Sequence, residues 1–306
     1  MLSNNQIHYL TRGEINISRW NECIDRADNG IIYAQSSYLD AMCTNWDALV
    51  LNDYQMVMPL PWRKKWGFRY IYPPYFIAAL GVFGNNLNSS IVSSFLSQIP
   101  KCFRYWESDL NEQNRVDTLP KLQLEKRKNI FLSLNQPYEV LYNNYKRLAK
   151  RKLGFALENG LTVHRNADPE YIITCYEKYY EQKKRIIPSE TYAQLKLLLS
   201  ILPENNYQAY VVKQQSTIAA FFLVLNDERN VYSLIGGSTE EGKKSGAFYL
   251  ATDAAIKDFS GTEKNFRFEG SDKKGIAFFN LQFGSSEVDY WRIKMNNLPW
   301  PVNYFK

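Results

Sequence analysis

The stretch Gly236-Gly237-Ser238-Thr239-Glu240-Glu241-Gly242-Lys243-Lys244-Ser245-Gly246-Ala247 decides the fold of this 306-residue chain. Three strand-like runs precede it, at 207–213, 217–226 and 230–235, and the apolar helix 248–259 follows. The short turns Gln214-Gln215-Ser216 and Asp227-Glu228-Arg229 make those runs an antiparallel meander. Residues 218–225 are apolar on both faces, which marks a central strand. A glycine-rich, Lys-bearing turn at a helix N-terminus can hold an anion, because the first-turn amides lack intrahelical partners and the dipole favours negative charge. A solvated turn with a glycine-rich helix start is the alternative. The spacing Gly237-x4-Gly242-Lys243-Lys244 nearly matches a P-loop. Lys244 replaces the Ser/Thr that would bind Mg²⁺, Glu240 and Glu241 repel phosphate, and a meander precedes the turn, so an NTPase is excluded.

Working outward, residues 161–164 read as a strand after Gly160. Asp168 is expected to cap a helix with Pro169 at its first position, running to about Lys184. Ser189 caps the next helix, through Leu202, with Pro203 beyond its end. After the central turn come a strand at 265–269, a helix at 274–283 and a strand at 287–294. The first half repeats the pattern without residue-level identity. It has helices at 18–27 and 37–43, a hairpin of 48–51 and 55–60, a strand at 66–72, a helix at 88–98, and strands at 102–107 and 129–134. The halves join near Asn135-Gln136-Pro137, where Asn135 caps a long helix from 138 to about 158.

This order of elements, doubled, resembles the GNAT acyltransferase fold in tandem, as in the Fem-type (FemABX-like) bacterial peptidyltransferases and related N-acyltransferases. Residues that carry the resemblance are Glu158-Asn159-Gly160-Leu161-Thr162-Val163, Gly246-Ala247-Phe248-Tyr249-Leu250, Phe268-Glu269-Gly270-Ser271 and Phe283-Gly284. Gln35-Ser36-Ser37-Tyr38-Leu39-Asp40 and Met58-Pro59-Leu60-Pro61 carry it in the first half. It implies an α+β fold of two GNAT-like domains, each a mixed, mostly antiparallel sheet flanked by helices. Residues 1–134 form the degenerate, acceptor-side domain and 135–306 the domain with the donor site.

The implied activity is transfer of an acyl or aminoacyl group, from a thioester or tRNA donor, to an amine that attacks directly. A non-catalytic tandem-GNAT ligand-binding module is the alternative. Acyl-CoA or aminoacyl-tRNA is the donor, and a small molecule or peptide supplies the amine. Lys243, Lys244, Ser245, Gly246 and Ala247 form the donor turn, although Phe248 stands where a second small residue belongs. Backbone N–H groups of 231–235 polarise the acyl carbonyl. Glu269 is the candidate base, and Tyr290 (or Tyr249) the candidate acid. A capping role for Glu269 and core roles for the tyrosines are the bland readings, in a chain with 22 of them. Tyr38, Lys64, Tyr72, Arg151, Lys152 and Ser271 are expected on the substrate side. For Lys146, Arg147, Lys150, Arg151 and Lys152, crowded on one helix, a solvated face is the alternative to a phosphate-binding one.

Composition sets the outer bounds. A hydrophobic fraction of 45% with 22% charged residues is that of a globular protein, and a net charge of +6 is compatible with an anionic partner. Cys23, Cys43, Cys102 and Cys175 form no CxxC pair, which argues against a zinc site or a disulfide framework. His8 and His164 leave no Ser/His/Asp or Cys/His set, and no metal is expected. The polar first residues and the absence of a long apolar run predict a cytoplasmic protein with no membrane span.

Overall fold

A computed structural model describes residues 6–117, 119–182 and 187–305, divided between two units. Unit 1 is Met1–Arg127 with Asp289–Lys306, and unit 2 is Lys128–Val288. Unit 1 begins with β1 (Ile7–Leu10), α1 (Ile17–Arg26), α2 (Ser36–Met42), β2 (Trp46–Leu51), β3 (Met56–Lys65) and β4 (Phe68–Ile71). It continues with β5 (Phe83–Gly84), α3 (Ser89–Ser97) and β6 (Phe103–Asp109), in sheet order β1-β2-β3-β4-β6. Asparagines start two of the helices: Asn16 Oδ1 accepts from Arg19 N at 3.2 Å and Asn88 Oδ1 from Ile91 N at 2.9 Å. The expected 48–51/55–60 hairpin is β2–β3, turning where Asn52 and Tyr54 take left-handed φ.

The strand β7 (Gln123–Ser133) carries the chain into unit 2. There follow α4 (Tyr138–Asn143), α5 (Arg147–Glu158), β8 (Leu161–Arg165), α6 (Pro169–Gln182) and α7 (Ser189–Ile201). The meander is β9 (Tyr207–Gln214), β10 (Thr217–Asn226) and β11 (Asn230–Ser238). Then come α8 (Glu240–Ser245), α9 (Ala247–Phe259), β12 (Asn265–Arg267) and α10 (Lys274–Asn280). The sheet runs β7-β12-β11-β10-β9-β8, antiparallel except for the parallel pair β11–β12. Buried Phe222, Leu223, Val224 and Leu225 confirm β10 as central. The last strand, β13 (Ser286–Asn296), pairs with β6 of unit 1 through Arg292–Asn296.

Five sequence expectations are corrected. The helix 138–158 is two helices, because Lys146 is extended (ψ 155°) and its N–H donates to Gln282 O at 2.8 Å. At the break, buried Tyr145 meets the Phe283 ring edge-on at 5.2 Å. Pro137, not Asn135, precedes α4, and Pro188, not Ser189, precedes α7. The strand at 265–269 ends at Arg267, and the helix at 274–283 gives way at Leu281 to a 3-10 turn. Asp168 does serve the start of α6, accepting from Glu170 N at 2.9 Å; the helix end expected near Lys184 lies outside the described residues.

One carboxylate in unit 2 gives a pH prediction. Asp253 on α9 is buried and accepts from Tyr138 Oη at 2.9 Å. Burial raises its pKa, against the smaller lowering by Tyr138, Tyr145 and Lys257. A carboxyl raised in the folded state costs stability as pH climbs from the ordinary carboxylate range through the folded value, then holds that cost. Asp253→Asn is therefore expected to raise the melting temperature at neutral pH. The gain should vanish below the carboxylate range, as paired melts across pH would show.

Candidate functional site

The glycine-rich turn is not a loop. Gly236, Gly237 and Ser238 extend β11, in register with Phe222, Phe221 and Ala220 of β10. A Cβ on Gly236 would lie 2.7 Å from the Phe248 ring and 2.8 Å from the Phe222 ring, so the glycine makes room for aromatic packing on the strand. Thr239 caps α8, its Oγ1 accepting from Gly242 N at 3.0 Å. A Cβ on Gly242 would stand 1.9 Å from Ala219 O. Gly246 ends α8 in the left-handed conformation (φ 79°), with its α-carbon side against Lys152 O, 2.7 Å from where a Cβ would sit.

These contacts test the turn as a phosphate cradle. Lys243 Nζ is paired with Glu240. Ser245 is buried and donates to Gly242 O at 3.2 Å. Ala247 is buried, and Phe248 fills the first turn of α9, its ring 5.3 Å from both Phe222 and Phe279. Lys244 keeps an exposed side chain, while its carbonyl accepts from Lys152 Nζ at 3.3 Å. The glycines serve close packing, Lys243 is matched by a glutamate while Lys244 stays exposed, and a bulky Phe248 fills the first turn of α9 where a small residue would let a pyrophosphate approach the backbone. The turn does not fit the CoA pyrophosphate.

The junction of β11 and β12 is different. Their registered pairs end at Tyr232–Arg267. Opposite β10, Leu223 faces Ile235 and Val224 faces Ser233, so Leu234 is the extra residue of a bulge. Ser233, Leu234 and Gly236 are half-buried in an otherwise buried strand. The bulge thus falls just beyond the last registered β11–β12 pair, where β11 parts from its neighbour.

On the other side of this parting, the end of β12 is held by a polar cluster. Glu269 (φ 44°) and Gly270 (φ 64°) are both left-handed and turn the chain out of the strand. Glu269 Oε2 accepts from Asn129 Nδ2 at 2.8 Å, and Oε1 lies 3.4 Å from Arg267 Nε. The side chains of Arg267 and Glu269 are 3% and 11% exposed, so this is a buried ion pair. The Arg267 guanidinium stacks on Phe131 at 4.3 Å. Ser271 Oγ sits 3.4 Å from Asn129 Oδ1 and accepts from Asn280 Nδ2 at 3.2 Å. Glu269 and Ser271 are thus brought together, with Asn129, Arg267 and Asn280 as partners that sequence reasoning missed. Arg267 between two phenylalanines in a three-residue strand was the available signal, since an inward charge requires a partner nearby.

The basic helix partly keeps its expected face. Lys150 Nζ donates to Asn143 O at 2.9 Å and Lys152 reaches the turn, whereas Lys146, Arg147 and Arg151 are exposed. The acceptor-side residues fall in unit 1. Tyr38 is fully buried, its hydroxyl donating to Phe76 O at 2.6 Å, which is a core role. Tyr72 is half-buried beneath the Arg63 guanidinium (4.3 Å), and Lys64 is exposed on β3. Tyr290 is half-buried on β13 of unit 1. Among the described residues no group of His, Cys, Asp or Glu is placed to hold a metal ion, and no helix is long and apolar enough to cross a membrane.

No family model and no curated protein sequence matches this chain. Solved structures do match. FemX aligns over 97% of this chain and 99% of its own, with TM-score 0.68 and 14% identity. A tandem GNAT protein from the clavulanic acid biosynthesis pathway aligns over 96% and 99%, with TM-score 0.54 and 9% identity. L-PGS from Bacillus licheniformis aligns over 85% and 87%, with TM-score 0.52 and 11% identity. At such identities the likeness is one of fold, and the fold of this chain is a tandem GNAT fold.

Proposed function

We propose that this protein transfers an acyl or aminoacyl group to an amine, the acyl carbonyl lying in the gap between β11 and β12. The parting of those strands at Tyr232–Arg267, with the bulge at Leu234, carries this reading. A backbone N–H at a bulge is a fixed donor. It stabilises the oxyanion that forms when an amine attacks the carbonyl. The amine nitrogen bonds to the carbonyl carbon, the bond to the donor oxygen or sulfur breaks, and the nitrogen's proton passes to the leaving group or solvent. No nucleophilic side chain is needed. Glu269 holds Arg267 and the end of β12 in place; we assign it a positioning role.

The tandem GNAT neighbour from the clavulanic acid pathway is described without AcCoA, which makes acetyl-CoA one donor to test. The packed turn at Gly242–Phe248 argues for another. Exposed Arg147 and Arg151 lie on the helix that touches that turn through Lys152, with exposed Lys146 just before its start, and they suit a polyanion. An aminoacyl ester on tRNA supplies both the polyanion and the acyl group.

Thermal shift with charged tRNA, acetyl-CoA and longer acyl-CoAs tests the donor. Charged tRNA is expected to stabilise the protein, by about 2.7 kcal/mol at a hundredfold excess over Kd, and acyl-CoAs to leave it unmoved. Arg147→Ala with Arg151→Ala should weaken tRNA binding and flatten its salt dependence by roughly one unit for each phosphate no longer neutralised. Stabilisation by acyl-CoA alone would overturn the tRNA donor. Binding without turnover of any amine would leave the ligand-binding module, a reading that the closed turn also favours.

A further inference from the structure

We propose that unit 1 carries a docking face for the surface of an anionic phospholipid bilayer, formed by the β3–β4 hairpin and the C-terminal segment 298–304. This face is independent of the gap between β11 and β12. Between Asp53 and Glu107 the sequence contains no Asp or Glu, but it contains Arg63, Lys64, Lys65, Arg69, Lys101 and Arg104; no Asp or Glu follows Asp289. The hairpin is therefore cationic without internal compensation. Trp66 and Gly67 (φ 50° and 83°) form its tip, and the Trp66 side chain is 65% exposed. Cations lie along its rings: Lys65 Nζ is 4.7 Å from the Trp66 centroid, and the Arg69 guanidinium 4.5 Å from that of Trp62. Lys64 and Lys65 are exposed.

Beside the hairpin runs a stretch of different character. Residues 298–304, Leu-Pro-Trp-Pro-Val-Asn-Tyr, carry no charge, yet Trp300 and Tyr304 are each 78% exposed. Leu298 and Val302 share one cavity with Lys65, Trp66, Phe68 and Tyr70, which brings the two segments together. Exposed large aromatic side chains cost free energy in water unless something covers them. The occupant must accept indole and phenol rings at an apolar–polar boundary and offer negative charge to lysines a few ångströms away. Phospholipid headgroups over acyl chains do both, since Trp and Tyr settle at that boundary and Lys and Arg reach the phosphates. A nucleic-acid groove interleaves cations with its stacking rings along the strand path. The uncharged 298–304 segment lacks that interleaving.

Co-sedimentation of the full chain with vesicles tests the assignment. Binding is expected to vesicles of phosphatidylcholine with phosphatidylglycerol and not to phosphatidylcholine alone. It should weaken in about 0.5 M NaCl, where the Debye length falls to a few ångströms. Each lysine near such a surface is worth roughly fivefold in partitioning, so Lys64→Glu with Lys65→Glu should lower it by at least about tenfold. Trp66→Ser with Trp300→Ser should lower it comparably at both low and high salt. All four side chains are exposed, so the melting temperature should stay unchanged and loss of folding is separable from loss of binding. Equal binding to both vesicle types, or to neither, overturns the proposal. Retained vesicle binding in the lysine variant with lost binding of labelled bulk tRNA overturns it too, and makes the face a nucleic-acid surface. Failure here leaves the Arg147/Arg151 tRNA test untouched, because those residues belong to unit 2.

Discussion

Gly242→Ala is expected to destabilise the protein by about 3 kcal/mol or more, or to prevent soluble expression. The added methyl would stand 1.9 Å from Ala219 O and 2.7 Å from Ala219 C. Both are backbone atoms of the central strand, so no rotamer change relieves the clash; either α8 or β10 must move. Urea unfolding should show a lower midpoint with an unchanged slope. Gly154→Ala is the matched control. Gly154 lies within α5, and nothing stands within 4 Å of its Cβ position. Removing a helical glycine there should gain roughly 0.5–1 kcal/mol. The same chemical change thus has opposite signs at two sites. A Gly242→Ala protein within about 1 kcal/mol of wild type would show that α8 does not pack closely on β10.

The second large effect is at the end of β12. Arg267→Met removes the guanidinium beside a nearly buried Glu269 carboxylate, and Glu269→Gln removes the carboxylate charge beside a buried Arg267. Breaking one side of a buried pair costs about 3–5 kcal/mol, because the remaining charge stays desolvated. The Arg267→Met/Glu269→Gln double variant should be destabilised much less than the sum of the two single changes. A double-mutant cycle of unfolding free energies measures that coupling. Additivity within about 0.5 kcal/mol would mean that the two charges do not depend on each other, and the positioning role of Glu269 would fall.

Local signals in the chain carried the fold far. The meander turns at Gln214-Gln215-Ser216 and Asp227-Glu228-Arg229, the Asp168-Pro169 helix start and the doubly apolar β10 each rest on neighbours in sequence, and each stands in the structure. Tandem GNAT architecture follows from their order, and FemX shares it over nearly its whole length. The candidate site was less legible. Glu269 and Ser271 could be marked by their place after a strand, but Asn129 lies 140 residues from Glu269, and the hydrogen bond between them has no local trace.

The donor turn shows the division most clearly. Its glycines, lysines and glutamates were all readable, and they described an anion-binding turn as well as they described a solvated one. Only the register of β10 with β11, and the approach of Lys152 O and Ala219 O, decide for packing. The partner of β13 was equally hidden: a strand's alternation states which face is buried, not which strand it joins, and β13 joins β6. By itself the sequence determined where strands and helices form and in what order, because capping, turn chemistry and periodicity act over a few residues. Tertiary structure alone decided the bulge at Leu234, the Arg267–Glu269–Asn129 cluster and the closing of the Gly-rich turn, because each depends on contacts between segments far apart in the chain.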